Sequence, residues 1–188
     1  MSRSRFSFTP TALKGLMVVA RQRLADHRGY LSRVFCAEQL SAVGFALPIA
    51  QINHTLTRQR GAVRGLHFQH PPHAEDKLVS CLRGEIFDVA VDLRTGSETY
   101  LQWHAEILSA DNCKSLMIPQ GFAHGFQTLS DDCELLYLHS RPYVAGAEAA
   151  LNARDPALGI RWPLAFTDIS ERDTLHPHIT HEFTGVRT

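Results

Sequence analysis

Hydrophobic and polar residues alternate along several short segments of the chain, most regularly over residues 84–93. The apolar side chains at odd positions from Phe87 to Leu93 share one face, while Asp88 and Asp92 lie on the other. A period of two is the spacing of a β-strand, and a strand with one apolar face is typically half-buried. The segment is therefore predicted to be a half-buried strand.

Other short apolar segments follow the same pattern and are separated by turn residues. Strands are predicted over residues 100–108, 115–119, 121–129 and 134–141. Short strands that recur every 8–12 residues or so are typical of an all-β sandwich or barrel. Helix is predicted only over residues 36–43, and in one short turn either after Ser170 or around residues 145–151.

The chain has 188 residues, and a domain commonly contains about 100–200 residues. Since no repeat or linker interrupts the sequence, we expect a single domain over residues 1–188. Its parts are an N-terminal arm of about residues 1–50, a barrel core of about 51–165 and a C-terminal tail of 166–188.

The charges balance, with 19 Lys and Arg against 19 Asp and Glu. A neutral chain has no strong overall field to attract nucleic acid or an anionic membrane, so neither partner is expected. The longest segment without charge, 39–57, contains polar residues and Pro48 and is not predicted to span a membrane. The N-terminus lacks the apolar run of a signal peptide, and a cytoplasmic location is expected.

The four cysteines, Cys36, Cys81, Cys113 and Cys133, form no C-x-x-C pair. This spacing provides neither a zinc knuckle nor a thioredoxin-like motif. In a chain without an export signal we expect them to be reduced and mostly part of the core.

Histidine is enriched: the chain has 11, and His67, His70 and His73 lie close together, just before Glu75. A spacing of three puts His67 and His70 on opposite faces of a strand, and Pro71-Pro72 ends any strand before His73. A cupin-type metal site needs His-x-His, so that two rings share one face. The spacing therefore argues against a metal site, and His70 and His73 are predicted to be solvated loop residues.

Two segments carry most of the candidate chemistry, residues 57–77 and 118–126. The second contains Pro119-x-Gly121-x-x-His124, which resembles the second short motif of cupin-type jelly rolls. In that motif the glycine makes a tight turn and the histidine points into the barrel.

Many ordered sequence blocks from about Asp26 to Pro177 carry a resemblance to the nucleotide-sugar 3,5-epimerase family. The blocks are Asp26–Gly29, Gln51–Asn53, Arg64–His67, Lys77–Val79, Gly84–Asp92, Ile118–Phe126, Asp155-Pro156, Gly159-Ile160, Trp162-Pro163 and Ser170–Asp173. The resemblance implies a cupin-like double-stranded β-helix, or jelly roll, with an N-terminal arm and short C-terminal helical turns. It also implies a homodimer that exchanges its arms and needs no metal or cofactor.

The implied substrate is a nucleoside-diphosphate 4-keto-6-deoxyhexose of deoxysugar (rhamnose-type) biosynthesis, and the implied reaction inverts carbon 3, carbon 5 or both. A proton beside a ketone becomes acidic when a base meets it and the growing charge on the oxygen is stabilised. By resemblance, His67 is the base, and Asp173 orients its imidazole. Lys77 is the partner of the enolate oxygen, and Tyr137 is the acid on the opposite face.

The resemblance also implies a set of residues that bind the diphosphate, sugar and nucleotide. They are Arg28, Arg33, Gln51, Asn53, Arg64, His124, Tyr143, Glu148 and Arg172. Arginine suits this task because its planar guanidinium pairs with two phosphate oxygens at once.

Four positions depart from the family pattern. Arg33 stands in place of a glutamate of the arm, Leu31 and Ala153 replace aromatic residues, and Leu138 replaces the usual lysine after the acid tyrosine. Because the arm contacts the nucleotide in this family, the departures leave open which nucleotide and deoxysugar are bound and whether one or both carbons invert.

Two other functional classes remain as alternatives. A metal-dependent cupin oxygenase or isomerase predicts stoichiometric metal in the purified protein. A non-catalytic sugar-binding jelly roll predicts that the base and the acid can be lost, whereas both are present here.

Overall fold

A computed structural model describes residues 4–188, so residues 1–3 of the predicted arm lie outside the described residues. The strands are β1 Phe6–Pro10, β2 Met17–Arg21, β3 Arg23–Asp26, β4 Gly29–Ser32, β5 Gln51–Thr57, β6 Ala62–Gln69, β7 Lys77–Arg83, β8 Glu85–Asp92, β9 Trp103–Ser109, β10 Lys114–Ile118, β11 Phe122–Thr128, β12 Cys133–His139, β13 Glu148–Ala150 and β14 Asp168–Ile169. The helices are α1 Ala37–Ser41 and α2 Glu171–Thr174. The prediction of an all-β jelly roll with short C-terminal helical turns is confirmed.

Two six-stranded sheets form the body of the fold. The first has the order β1-β2-β10-β7-β12-β5, and the second has the order β13-β6-β11-β8-β9 with β14 parallel to β6. A cluster of buried side chains from both sheets, including Val79, Leu116, Ile86 and Phe126, packs between them. Strands β3 and β4 form a separate hairpin in the N-terminal arm.

Strand β8 lies where residues 84–93 predicted it, but the prediction that it is half-buried is wrong. Ile86 and Ala90 face the core between the sheets. Val89, Val91 and Leu93 belong to a second core, which the C-terminal segment covers with residues such as Leu158 and Val186. The alternation therefore separates two buried faces, and Asp88 and Asp92 are both fully buried.

Other predicted bounds need smaller corrections. Strand β9 begins at Trp103, because residues 97–102 form hydrogen-bonded turns and Leu101 has a left-handed φ of 61°. The short helix lies after Ser170, whose side chain caps α2 by accepting from the Asp173 N–H. Residues 148–150 instead form strand β13.

The four cysteines are free thiols, and Cys81, Cys113 and Cys133 are buried as predicted. Burial raises the pKa of the Cys81 thiol to about 12. Residues 4–188 contain no helix that is long and apolar enough to cross a membrane.

Candidate active site

A cavity of about 230 Å³ is lined by side chains from both sheets. Eight of the predicted site residues line it: Asn53, Arg64, His67, Lys77, His124, Tyr137, Tyr143 and Glu148. Strands β6 and β11 of one sheet supply His67 and His124, and β7 and β12 of the other supply Lys77 and Tyr137. The fold therefore places His67 and His124 on one wall of the cavity, and Lys77 and Tyr137 on the opposite wall.

His67 and Asp173 form a hydrogen-bonded pair with Nε2 and Oδ1 2.8 Å apart. The carboxylate is almost fully buried, while the imidazole side chain keeps 27% of its surface exposed. Burial alone would raise the pKa of Asp173, but the hydrogen bond and charge of His67 and the Gly65 N–H lower it to about 2. Asp173 is therefore a carboxylate at neutral pH and holds one nitrogen of the ring.

The close approach of β6 and β11 beside this pair requires glycine at position 65 and at position 125, where a Cβ would lie 2.7 Å from the Arg64 carbonyl oxygen. Gly65 has a φ of 124°, and a Cβ there would lie 2.5 Å from the Cα of Gly125. A side chain at Gly65 would therefore push the two strands apart. The same residue donates its N–H to the other carboxylate oxygen, Oδ2 of Asp173.

His124 forms a second and more deeply buried pair with Asp88, whose Oδ1 lies 2.8 Å from Nε2. The His124 ring meets the Tyr137 ring edge-on, with centroids 6.0 Å apart. Asp88 was not among the predicted site residues. No signal in the sequence marked it, because the alternation places Asp88 on the polar face of a strand predicted to be half-buried. Its burial and its position opposite Phe126 of β11 are seen only in the structure.

Tyr137 projects from β12, and its neighbours favour the neutral phenol. Burial, followed by the negative charge of Asp88, raises the pKa of Tyr137 far above the usual range. The ring also stacks on His139, with centroids 6.0 Å apart and planes 16° apart. Tyr137 therefore carries its proton throughout the neutral range.

Lys77 lies in a buried cluster of charged groups that sequence analysis did not find. Its Nζ lies 3.1 Å from Oε1 of Glu75 and donates to the carbonyl oxygen of His67 at 3.4 Å. The other Glu75 oxygen lies 3.4 Å from Nδ1 of His139. Burial would raise the pKa of Glu75, but His139 and Lys77 lower it overall, so the carboxylate is ionised.

The mouth of the cavity carries a network of three predicted residues. Tyr143 Oη and Arg172 Nη1 both donate to Oε2 of Glu148, each at 2.9 Å. The hydrogen bond to Glu148 raises the pKa of Tyr143. Arg172 Nη2 also lies 3.3 Å from Nε2 of His67. The guanidinium therefore connects the mouth to the His67–Asp173 pair.

The remaining predicted residues lie at different distances from the cavity. Gln51 donates to Asn53 at 3.1 Å and accepts the Tyr143 N–H, so it supports the mouth from outside. Arg28 lies in the turn of the β3–β4 hairpin, paired with Asp26 at 2.6 Å. Arg33 follows that hairpin and is exposed. Within one chain, neither arginine lines the cavity.

The donor atoms of His67, His70 and His73 do not come together as one group. His70 is exposed as predicted and packs its ring edge against Phe68, and His73 is half-buried. Within residues 4–188, one group of three His, Cys, Asp or Glu side chains has donor atoms that all lie within 4.8 Å of one another. Its members are His67, Asp173 and His176.

The sequence model of the dTDP-4-dehydrorhamnose 3,5-epimerases matches residues 10–181. The chain belongs to the dTDP-4-dehydrorhamnose 3,5-epimerase family. A dTDP-4-dehydrorhamnose 3,5-epimerase of Sinorhizobium fredii is 41% identical over 173 residues, which are 92% of this chain and 89% of that protein. The resemblance inferred from the sequence blocks is thereby confirmed.

A solved structure and a second relative are also similar to this chain. A Legionella pneumophila structure, described as a complex with dTDP-4-keto-L-rhamnose, superposes with a TM-score of 0.90 at 34% identity and covers 97% of this chain and 99% of that chain. A dTDP-4-dehydrorhamnose 3-epimerase of Streptomyces niveus is 36% identical over 165 residues, 87% of this chain and 79% of that protein. The chain is thus similar both to proteins named as 3,5-epimerases and to one named as a 3-epimerase.

The four departures from the family pattern differ in burial. Leu138 is buried in a core cluster that also contains Phe6 and Leu78. Ala153 is also buried, and its carbonyl accepts the Trp162 Nε1–H at 2.8 Å. Leu31 is exposed, as Arg33 is. None of these four positions lines the cavity.

Proposed function

We propose that this chain is an epimerase of a nucleoside-diphosphate 4-keto-6-deoxyhexose and that it inverts carbon 3, carbon 5 or both. Membership of the epimerase family supports the class of reaction. The observation that carries the proposal is the His67–Asp173 pair on one wall of a cavity whose other wall presents Tyr137. Inversion needs a base and an acid on opposite faces of one carbon, and these walls supply them.

His67 is the base in this proposal. Asp173 binds Nε2, which leaves Nδ1 as the ring nitrogen that accepts a proton from the carbon beside the ketone. The buried carboxylate fixes the ring and stabilises the imidazolium that forms. Asp173 is therefore a positioning residue.

Lys77 stabilises the negative charge that grows on the ketone oxygen. A cation held in a partly dry cavity interacts more strongly with such a charge than a cation in water. The Glu75 carboxylate positions the lysine through an ion pair, with Oε1 3.1 Å from Nζ. His124, fixed by Asp88, is placed to donate a hydrogen bond to the bound sugar. Since the ketone accepts the electrons itself, no cofactor is needed.

Tyr137 returns a proton from the other face. Its raised pKa keeps the phenol protonated until the enolate, a stronger base, removes the proton. Because His67 and Tyr137 belong to different sheets, a planar enolate between them is open to protonation on the face opposite the one that lost its proton.

The nucleotide end of the substrate lies at the mouth of the cavity in this proposal. Arg64 and Arg172 bind the diphosphate, since guanidinium groups pair well with phosphate oxygens. Tyr143 and Glu148 lie nearer the nucleotide, and Asn53, supported by Gln51, contacts the sugar. Binding a diphosphate would loosen the Arg172–Glu148 ion pair, which measures 2.9 Å here.

The proposed assembly is a homodimer that exchanges N-terminal arms. Tyr30 and Leu31 of the hairpin are 60% and 69% exposed. Strand β5 ends its sheet and exposes Ile52. Open edges and exposed apolar side chains are commonly covered by a second copy. Exchange would bring Arg28 and Arg33 to the partner's cavity. The cytoplasmic location stays a prediction.

Complementation tests the exchanged arms. Chains with Arg28→Ala and chains with His67→Asn are refolded together, and the activity of the mixture is measured at substrate concentrations below KM. If each cavity takes His67 from one chain and Arg28 from the other, mixed dimers contain one intact cavity, and activity rises above that of either variant alone. A chain that sediments as a monomer would contradict this assembly.

Hydrogen exchange tests the proposed reaction. Candidate nucleoside-diphosphate 4-keto-6-deoxyhexoses are incubated with the protein in deuterated water, and NMR reports label at carbons 3 and 5 with product stereochemistry. We expect label at each carbon that inverts. A metal-dependent enzyme would lose activity after chelation, and a sugar-binding module would bind substrate without label, so either result would overturn the proposal.

A further inference from the structure

His176 stands beside the His67–Asp173 pair and has no part in the proposed reaction. Its Nε2 lies 4.0 Å from Oδ1 of Asp173, the same oxygen that His67 contacts at 2.8 Å. Within the described chain this Nε2 atom is buried and has no hydrogen-bond partner. A buried ring nitrogen with no partner is costly unless another group binds it.

The backbone fixes His176 in this place. The Asn152 side chain donates to the carbonyl oxygens of Thr174 and His176, at 3.1 and 2.9 Å. Helix α2, which carries Asp173, ends just before it. The histidine and the carboxylate therefore lie three residues apart on one segment that the Asn152 side chain holds, and His67 approaches them from strand β6.

We propose that His67, Asp173 and His176 form a site for a divalent transition-metal ion of the zinc class, and that the bound ion inhibits the enzyme. Two imidazoles and one carboxylate are a donor set that suits Zn²⁺, with water in the fourth position. Bonds of about 2.0–2.2 Å place tetrahedral ligand atoms roughly 3.4 Å apart. The observed 2.8 and 4.0 Å separations lie on either side of that value, so small side-chain rotations bring the three atoms to the ion.

The inhibition follows from the two nitrogens of His67 and rests on the proposed function. A metal on Nε2 uses that lone pair, so the proton of the neutral ring stays on Nδ1. Nδ1 is the atom assigned to take the substrate's proton, and a nitrogen that already carries a proton cannot do so. The ion also replaces the hydrogen bond through which Asp173 stabilises the imidazolium.

Arg172 competes with the ion. Its Nη2 lies 3.3 Å from Nε2 of His67, and its Nε lies 3.6 Å from Oδ1 of Asp173. The side chain is 56% exposed and can move away on its ion pair with Glu148. Removing this positive charge should therefore tighten metal binding, whereas removing a ligand should weaken it.

Direct binding tests the site independently of the reaction. Chelator-treated protein is dialysed against Zn²⁺ alone, and bound zinc is counted for the wild type, His176→Ala, Arg172→Gln and His178→Ala. His178 is an exposed histidine two residues away and is the matched control. We expect about one ion per chain, affinity about tenfold or more weaker in His176→Ala, tighter in Arg172→Gln and unchanged in His178→Ala. Co²⁺ should give the intense visible absorption of a four-coordinate site, reduced by His176→Asn.

The second measurement is of inhibition. For each variant, the rate of epimerisation with Zn²⁺ is divided by the rate with chelator. The ratio should fall well below one for the wild type and His178→Ala and stay near one for His176→Ala. Equal zinc binding in the wild type and His176→Ala, or no binding to either, would overturn the site. Binding at this site without inhibition would overturn the inhibitory role. Since dialysis needs no substrate, a failure of the proposed reaction would not be confused with a failure of the metal site.

Discussion

The Nε2 atom of His67 lies 2.8 Å from Oδ1 of Asp173, although the two residues are 106 positions apart in the sequence. Strand β6 carries the histidine, and the short helix α2 carries the carboxylate. The parallel pairing of β14 with β6 brings the two elements together, because β14 ends one residue before the cap of α2. The pair therefore depends on the C-terminal tail as much as on the sheet.

Substitution of His67 tests the base. His67→Asn keeps a polar side chain of similar size but cannot accept and carry a proton at neutral pH. We expect the rate of epimerisation to fall by about 10²–10⁴-fold, the usual effect of losing a general base. His70→Asn, at an exposed position on the same segment, is the control and should keep wild-type activity. A His67→Asn rate within a few-fold of the wild type would exclude this role.

Acid unfolding tests the ionisation of Asp173. Its pKa of about 2 in the folded chain is below the ordinary 3.8. A lowered carboxyl pKa contributes stability that is complete above about pH 4 and is lost as the pH falls towards 2. The difference in unfolding free energy between the wild type and Asp173→Asn should therefore shrink across this window. Urea unfolding at several pH values measures it, and a pH-independent difference would contradict the assignment.

A double-mutant cycle tests Glu75 and Lys77. Lys77→Met removes the charge that stabilises the enolate, and we expect kcat to fall by about 10²–10³-fold. Glu75→Gln releases the lysine and should lower kcat less, with KM nearly unchanged. Because the two side chains act through one contact, the double variant should lose less than the product of the two single losses. Independent effects would show that Glu75 does not position the lysine.

The local sequence pattern predicted much of the fold, because the positions of strands and turns depend mainly on residues that are neighbours in the sequence. The alternation over residues 84–93 located β8, and the turn residues located its neighbours. It could not show that Leu158 and Val186 cover the outer face, because those residues come from the C-terminal segment. A strand with a second covered face has the same alternation as a half-buried one.

The candidate site shows the same division. His67, Lys77 and Tyr137 were assigned by the family resemblance, and all three line one cavity in the structure. Asp88, Glu75 and His139 were missed because their contacts join residues far apart in the sequence, Asp88 with His124 and Glu75 with His139. The sequence did not mark Asp88, because the polar face of β8 was predicted to be exposed and its burial is seen only in the structure. The proximity of His176 to Asp173 likewise depends on how the chain continues after α2.

Tyr137→Phe separates the two halves of the proposed reaction. The variant keeps His67, Asp173 and Lys77, so proton removal can still occur, but the opposite face has no acid. The substrate should then exchange its acidic hydrogen with deuterated water, with return on the original face, faster than it forms inverted product. His67→Asn should instead lose exchange and inversion together.

Packing alone makes a different prediction for the same variant. If Tyr137 only fills space between the sheets, Tyr137→Phe loses about 1 kcal/mol of stability from a missing hydrogen bond, and its ratio of exchange to inversion equals that of the wild type. Deuterium uptake is measured by mass spectrometry beside product stereochemistry by NMR, and thermal unfolding is recorded for the same samples. A ratio that rises while the fold stays intact assigns the acid to Tyr137. A wild-type ratio assigns the proton to another donor on that wall, and His139, stacked on the tyrosine at 6.0 Å, is then the next residue to replace.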